Sequence, residues 1–309
     1  MYPLKFEPIY FEKIWGGKHL QELKNNVPEG NIGESWEVSC HKNGVSIVSN
    51  GRFKGATLKE VIEREGKHIL GDYEGEDFPL LLKLISTSGK LSVQVHPDDI
   101  YGRKIEGDNG KTEAWYVIHA ESGAALVLGT RECTKEEFKN AIKNGTLDKY
   151  LNIVPVKSGD VFFVNSGLIH AIGEGILLLE IQQNSDITYR VYDYNRGREL
   201  HLEKALEVAN LKLKSNRLGG KVYTNSDYEI TKYVKCPYFS LDLYEIYSRV
   251  EENTEGKKFL LYSCIEGEGK IEYSEGEESI IKGESILIPS SLGHFNIVGQ
   301  LKLIRIYVL

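Results

Sequence analysis

Twice in this chain a glycine–acid pair opens a short apolar run, a turn follows, and a histidine comes eleven residues after the glycine: GDVFFVNSGLIH at 159–170 and GESILIPSSLGH at 283–294. The glycine permits a tight turn, the apolar run enters a sheet, and the second turn aims the histidine inward. Two copies of one strand–turn–histidine unit in a single chain point to duplicated β domains.

The remaining pattern agrees. Strand-like runs rich in Val, Ile, Leu and Tyr, punctuated by Gly, extend over Val45 to Ile62, Pro79 to Val95, Trp115 to Leu128, Val154 to Tyr194 and Tyr228 to the C-terminus. Helical patterning is confined to Thr57 to Leu70, to TKEEFKNAIKNG from Thr134 and to LHLEKALEVANLK from Leu200. Thr134 and Glu137 stand at capping-box spacing, and Gly145 ends that segment. A polar, Gly-rich stretch, KLKSNRLGG at 212–220, reads as a connector between residues 1–211 and 221–309.

A chain of 309 residues, 41% hydrophobic and 27% charged, can bury one large core or two smaller ones. Its formal charge of −7 argues against a nucleic-acid surface, which needs a basic face, although a few local Arg and Lys suffice for a small anion. No apolar run approaches the about 18 residues of a membrane span, and the N-terminus lacks a signal-type apolar core. The four cysteines, Cys40, Cys133, Cys236 and Cys264, lie far apart without CxxC spacing, as free thiols of a reducing, cytoplasmic compartment would.

The stretch LSVQVHPDD at 91–99 alternates as a strand does, placing Ser92, Gln94 and His96 on one face and Leu91, Val93 and Val95 on the other. Either the polar face is solvated, or Gln94 and His96 reach one ligand inside a barrel. The Gly–strand–turn–His spacing resembles the second motif of the cupin superfamily of small β-barrels. In cupins an earlier strand supplies two metal ligands two residues apart, and a carboxylate follows downstream. Gln94 and His96, Glu113 in GKTEAWYVI and His170 take those places here. Imidazole nitrogen, carboxylate and amide oxygen suit a divalent ion of zinc type and leave positions for water or a sugar oxygen.

With their neighbours the motifs become specific. FEKIWGG (11–17), GESWEVS (33–39), LLLKLI (80–85), LSVQVHPDD, KTEAWY (111–116), SGLIHAIG (166–173) and SDITYRVYDYNR (185–196) occur in the order seen in type I mannose-6-phosphate isomerases. The resemblance runs nearly the whole chain and is to the short prokaryotic form. It implies a mainly β fold of two cupin-type (jelly-roll) barrels with a few short helices. Residues 1–211 would form the metal-bearing catalytic unit, and 221–309 a degenerate one. It also implies one zinc ion per chain and interconversion of mannose 6-phosphate and fructose 6-phosphate. With no nucleotidyltransferase segment ahead of the barrel, the expected product is the sugar phosphate itself. No nucleic-acid or membrane partner is expected, and the oligomeric state is open.

Carried over residue by residue, Gln94, His96, Glu113 and His170 match the family's metal ligands. Arg190 matches its active-site arginine, Lys111 the lysine two residues before the ligand Glu, and Glu180 a carboxylate between the last ligand and the arginine. Thr112 stands where many members have Pro, and Asn165 replaces the turn Pro of cupins.

Aldose–ketose isomerisation needs a base for a carbon-bound proton and a cation for the developing oxyanion. Arg190, always charged, suits the oxyanion or substrate-orienting role. Glu180, Lys111 and a metal-bound water are each able to serve as base. Lys83, unusual inside an apolar strand, either binds substrate or pairs with a buried acid, and Lys111 is the other phosphate candidate. Trp15, Trp36 and Trp115 either wall a sugar pocket or fill the core. Two other classes stay open: a non-catalytic sugar-binding double cupin and, less favoured by Gln94 and the basic residues, an iron-dependent cupin oxygenase. In the second repeat no His or Gln stands at ligand spacing in FLLYSCIEGEGKIEY (259–273), so that unit is expected to be metal-free.

Overall fold

The structure, a computed structural model, describes residues 1–75 and 77–308. It is built mainly of antiparallel strands, and the repeat is visible in their order. In the N-terminal half six strands lie in the order Val161–Val164, Glu113–Ala120, Ile176–Gln183, Leu80–Thr87, Ile32–Val38, Ile9–Glu12. In the C-terminal half Ser285–Ile288, Leu260–Tyr273, His294–Tyr307, Ser240–Ile246, Tyr228–Lys235 and Lys221–Thr224 repeat that order. The two motif strands, Val161–Val164 and Ser285–Ile288, hold the same place in each array.

Period-two alternation divides the N-terminal array cleanly. Leu80, Leu82, Leu84, Ala114, Tyr116, Leu177, Leu179 and Ile181 face the C-terminal array, where Leu241, Leu261, Leu287, Ile304 and Ile306 complete one shared core. Lys83, Glu113, Trp115 and Glu180 lie on the opposite face. That face meets a five-stranded sheet ordered Leu151–Pro155, Ala125–Thr130, His170–Ile172, Val93–Val95, Tyr189–Tyr192. Trp115, Phe162 and Leu178 pack there against Leu126, Leu128 and Ile172. Behind the five-stranded sheet, Val93, Val95, Ala171 and Val191 pack against Phe138, Ile142 and Ala205 of two helices. Val93 and Val95 therefore pack toward the helices, whereas Leu91 joins the core between the sheets, the space into which Ser92 and Gln94 also point.

Capping boxes at Thr57/Glu60 and Thr134/Glu137 start the helices Leu58–Glu65 and Lys135–Lys143. The helical stretch expected to reach Leu70 is broken at Gly66 (φ +46°) into Leu58–Glu65 and Lys67–Leu70. The strand reading of 45–62 fails beyond Val48, where the Thr57 cap redirects the chain into helix. The Leu200 segment is helical over Leu202–Val208.

No helix or strand lies within 212–220. The first strand, Leu4–Glu7, pairs with Ser285–Ile288 and so extends the C-terminal sheet. His294, expected to point inward, has its side chain 75% exposed. In the second copy the turn Ser290–Leu292 is tied to the Lys67 and His68 carbonyls through Ser290 Oγ (2.7 and 3.1 Å), and the side chain carried into the core is Phe295.

Candidate active site

Three segments converge between the two N-terminal sheets. The Val93–Val95 strand and the residue following it carry Gln94 and His96, the Glu113–Ala120 strand begins with Glu113, and the His170–Ile172 strand begins with His170. His96, Glu113 and His170 are fully buried and bring one donor atom each within 4.8 Å of the others. The two Nε2 atoms are 3.1 Å apart, and Glu113 Oε1 and Oε2 lie 3.5 Å from His170 Nε2 and 3.7 Å from His96 Nε2.

Hydrogen bonding fixes the tautomers. Nδ1–H of His96 donates to the Ile187 carbonyl (2.7 Å) and Nδ1–H of His170 to that of Leu168 (2.9 Å). A carbonyl only accepts, so in each neutral ring Nε2 is a bare lone pair. Burial, reinforced by Lys111 and His170, pushes His96 well below its ordinary value, and burial pushes His170 down to about 4, so both rings are neutral at pH 7. Neither oxygen of Glu113 accepts a hydrogen bond, and burial together with Glu180 pushes its carboxyl up. Two imidazole lone pairs converging with this carboxylate repel one another unless a cation lies among them; Lys111 Nζ, 3.3 Å from Oε2, offsets part of that charge. The set fits a divalent metal ion held by two imidazoles and a carboxylate. The Gln94 amide, 3.3 Å from His170 Nε2, stands beside the set and presents its oxygen to it when turned about its last torsion.

Beside these residues lies a cavity of about 320 Å³ lined by Gln94, Lys111, Glu180, Lys83, Arg190 and Asp186, among others. Glu180 and Arg190, which the sequence places on strands ten residues apart, face the same space. Lys111 Nζ is 3.3 Å from Glu113 Oε2 and 3.9 Å from Glu180 Oε1. Burial alone would depress it, but Glu180, Glu113, Asp186 and Glu34 outweigh burial and hold it charged. Lys83 lies 3.7 Å from Glu180 Oε1, 3.7 Å from Asp186 and 3.9 Å from Glu34, above the Trp36 ring. Of its two sequence readings, pairing with buried acids is the one seen. Arg190, half-buried, donates from Nη1 to the Glu199 carbonyl (2.7 Å), and its Nε has no partner among the described residues. A larger hollow of about 640 Å³ nearby, beside Lys18, Lys90 and Glu121, has its charged groups exposed and none of these residues.

Sequence reasoning missed Glu34 and Asp186 as partners of Lys83, and Trp115 as a donor to Glu180 (Nε1 to Oε2, 2.9 Å). The signal for Glu34 was present in GESWEVS, where an acid shares a strand face with Trp36. Trp15 lines the cavity, whereas Trp36 and Trp115 support its charged groups from behind.

A neutral His₂–carboxylate set between facing β-sheets, able to hold a metal ion and opening onto a lysine-flanked carboxylate, defines a cupin-class enzyme site. Residues 4–117 match the phosphomannose isomerase type I catalytic domain, and residues 229–308 the mannose-6-phosphate isomerase cupin domain. The chain is 42% identical to the mannose-6-phosphate isomerase ManA of Bacillus subtilis, over 96% of both chains. It is 38% identical to a mannose-6-phosphate isomerase of Streptococcus mutans, over 98% of this chain and 97% of that one. The crystal structure of mannose 6-phosphate isomerase from Bacillus subtilis superposes over 100% of both chains with a TM-score of 0.94 at 36% identity. The chain belongs to the type I mannose-6-phosphate isomerase family.

Proposed function

We propose that this protein interconverts mannose 6-phosphate and fructose 6-phosphate, with zinc as the divalent ion held by His96, Glu113, His170 and Gln94. The observation that carries the reading is Glu180. Its carboxylate lines the cavity beside that donor set, with two lysine ammoniums 3.7 and 3.9 Å from Oε1. A divalent ion in such a set supplies a Lewis acid that polarises the sugar's carbonyl region.

The chain's residues do the rest. Glu180 takes the proton from C2 of the aldose, the electron pair moves to O1 as the enediolate forms, Glu180 returns a proton to C1, and the hydroxyl proton passes from O2 to O1. Lys83 and Lys111 place two positive charges beside Glu180 Oε1. Arg190, with a free Nε, faces the charge that develops on the sugar oxygens or orients the phosphorylated end. Lys83, Lys111, Glu113 and Glu180 are buried, which strengthens the contacts among them.

We read residues 1–211 as the catalytic cupin barrel, 212–220 as its connector and 221–309 as a second, metal-free barrel, in a protein of the cytoplasm. Among the described residues no helix is long and apolar enough to cross a membrane. The test is a coupled assay on a panel of sugar phosphates, after chelation and readdition of zinc, manganese or iron. Turnover of mannose 6-phosphate restored by zinc is the expected result. Ligand binding without turnover would make the protein a sugar-binding double cupin instead.

A further inference from the structure

We infer that Trp115 is a positioning residue for the reaction: its indole N–H holds Glu180 in the orientation that presents the other carboxylate oxygen to the sugar. The inference rests on the reading of Glu180 as the base. Trp115 is fully buried, two residues after the ligand Glu113 on the same face of one strand, and directly opposite Glu180 in the neighbouring strand. Nε1–H donates to Glu180 Oε2 at 2.9 Å, while Oε1 is left to Lys83 and Lys111. The two oxygens are thereby made unequal. One is tied by a hydrogen bond to an indole buried in the core, and the other meets two ammoniums only at 3.7 and 3.9 Å, beyond hydrogen-bond distance, and is left for the sugar. The same indole stands edge-on to His170, 5.6 Å between ring centroids at 71°. One strand thus delivers a metal ligand, a brace for a second ligand and the donor that aims the base.

A carboxylate free to turn about its last torsion presents the productive oxygen only part of the time, and this affects the transition state more than the binding of ground-state sugar. Trp115→Phe keeps an aromatic ring against His170 and deletes the N–H. The expected result is a loss of roughly 10- to 100-fold in kcat. KM and bound ion should be unchanged.

Combining Trp115→Phe with Glu180→Gln separates the two readings. If Trp115 acts through Glu180, the double variant is no slower than Glu180→Gln alone, within about two-fold. An undiminished kcat in Trp115→Phe, loss of its metal, or a full further loss in the Glu180→Gln background would overturn the inference and leave Glu180 as base. Full turnover by Glu180→Gln would remove the base assignment itself, and Trp115 would be packing only. Should the Phe variant fail to fold, β-(3-benzothienyl)alanine incorporated at position 115 has the indole's shape without its N–H, and the same outcomes apply.

Discussion

Arg305 occupies in the C-terminal sheet the position that Glu180 holds in the N-terminal one. Each sits on the central strand of its array, Glu180 between Lys83 and Trp115, Arg305 between Asp242 and Tyr262. The charges are inverted between the copies. By the same registers Glu113, opposite Gln182 and Val164, corresponds to Leu260, opposite Ile288. A candidate ion site in the first copy is thus replaced by an ion-pair cluster above apolar packing in the second.

That cluster sets the first expectation. Arg305 binds Asp242 Oδ2 at 2.6 Å and Glu252 Oε1 at 2.8 Å, with Asp242 only 1% exposed. Arg305→Ala leaves the buried Asp242 and the partly buried Glu252 without their cation and should destabilise the protein by about 3–5 kcal/mol in urea unfolding. Replacing all three by apolar residues of like volume should recover most of the loss, because no charge then stays buried alone. The specific activity of the folded fraction should not change in either variant.

Metal removal is the second. His96→Ala and His170→Ala each delete a preplaced lone pair, so each should lose its ion by elemental analysis together with activity. The loss should exceed the roughly 10–100-fold typical of a ligand's supporting partners. One tightly bound ion per chain is expected, and His294→Ala should keep both that ion and most activity, since its imidazole lies in solvent beside Asn253. Two tight ions, or an active metal-free His170→Ala protein, would overturn the ligand assignment.

Local chemistry made much of this legible in the sequence. Strand alternation placed Gln94 and His96 together, the Thr134/Glu137 capping box located a helix, and the repeated Gly–strand–turn–His unit marked the strand that holds the same place in each array, although no closed barrel is found among the described residues. Hidden features were those decided by neighbours far along the chain. Glu34 meets Lys83 across a sheet, Leu4–Glu7 joins a strand near residue 287, and the outward turn of His294 depends on carbonyls of residues 67 and 68. No local pattern records which of two adjacent residues, His294 or Phe295, a strand will turn inward.

Arg190 gives the third expectation. Its contact is to a carbonyl rather than a carboxylate, and Nε is unpaired, so its removal breaks no ion pair. Arg190→Ala should lower kcat by roughly 10²–10³, as loss of a transition-state donor does, with little change in melting temperature. An unchanged kcat with a lowered melting temperature would make it a structural residue.

The fourth concerns acid stability and Glu34. Burial pushes this carboxyl up, but the Lys83 and Lys13 ammoniums and the Trp36 indole N–H outweigh burial and lower it to about 2. A carboxyl whose folded value is depressed stabilises the fold fully above its unfolded value near 4.5 and loses that contribution as pH falls toward 2. Lys13 holds it at 3.1 Å and Trp36 Nε1 at 2.9 Å, so the charged form is the one the fold is built around. Glu34→Gln keeps the shape and removes the charge. It should be less stable than the parent by about 2–3 kcal/mol at pH 6, and the two proteins should converge as pH approaches 2. Urea midpoints measured from pH 6 to pH 2.5 check this, and parallel curves for the two proteins would show that Glu34 does not carry the acid limb.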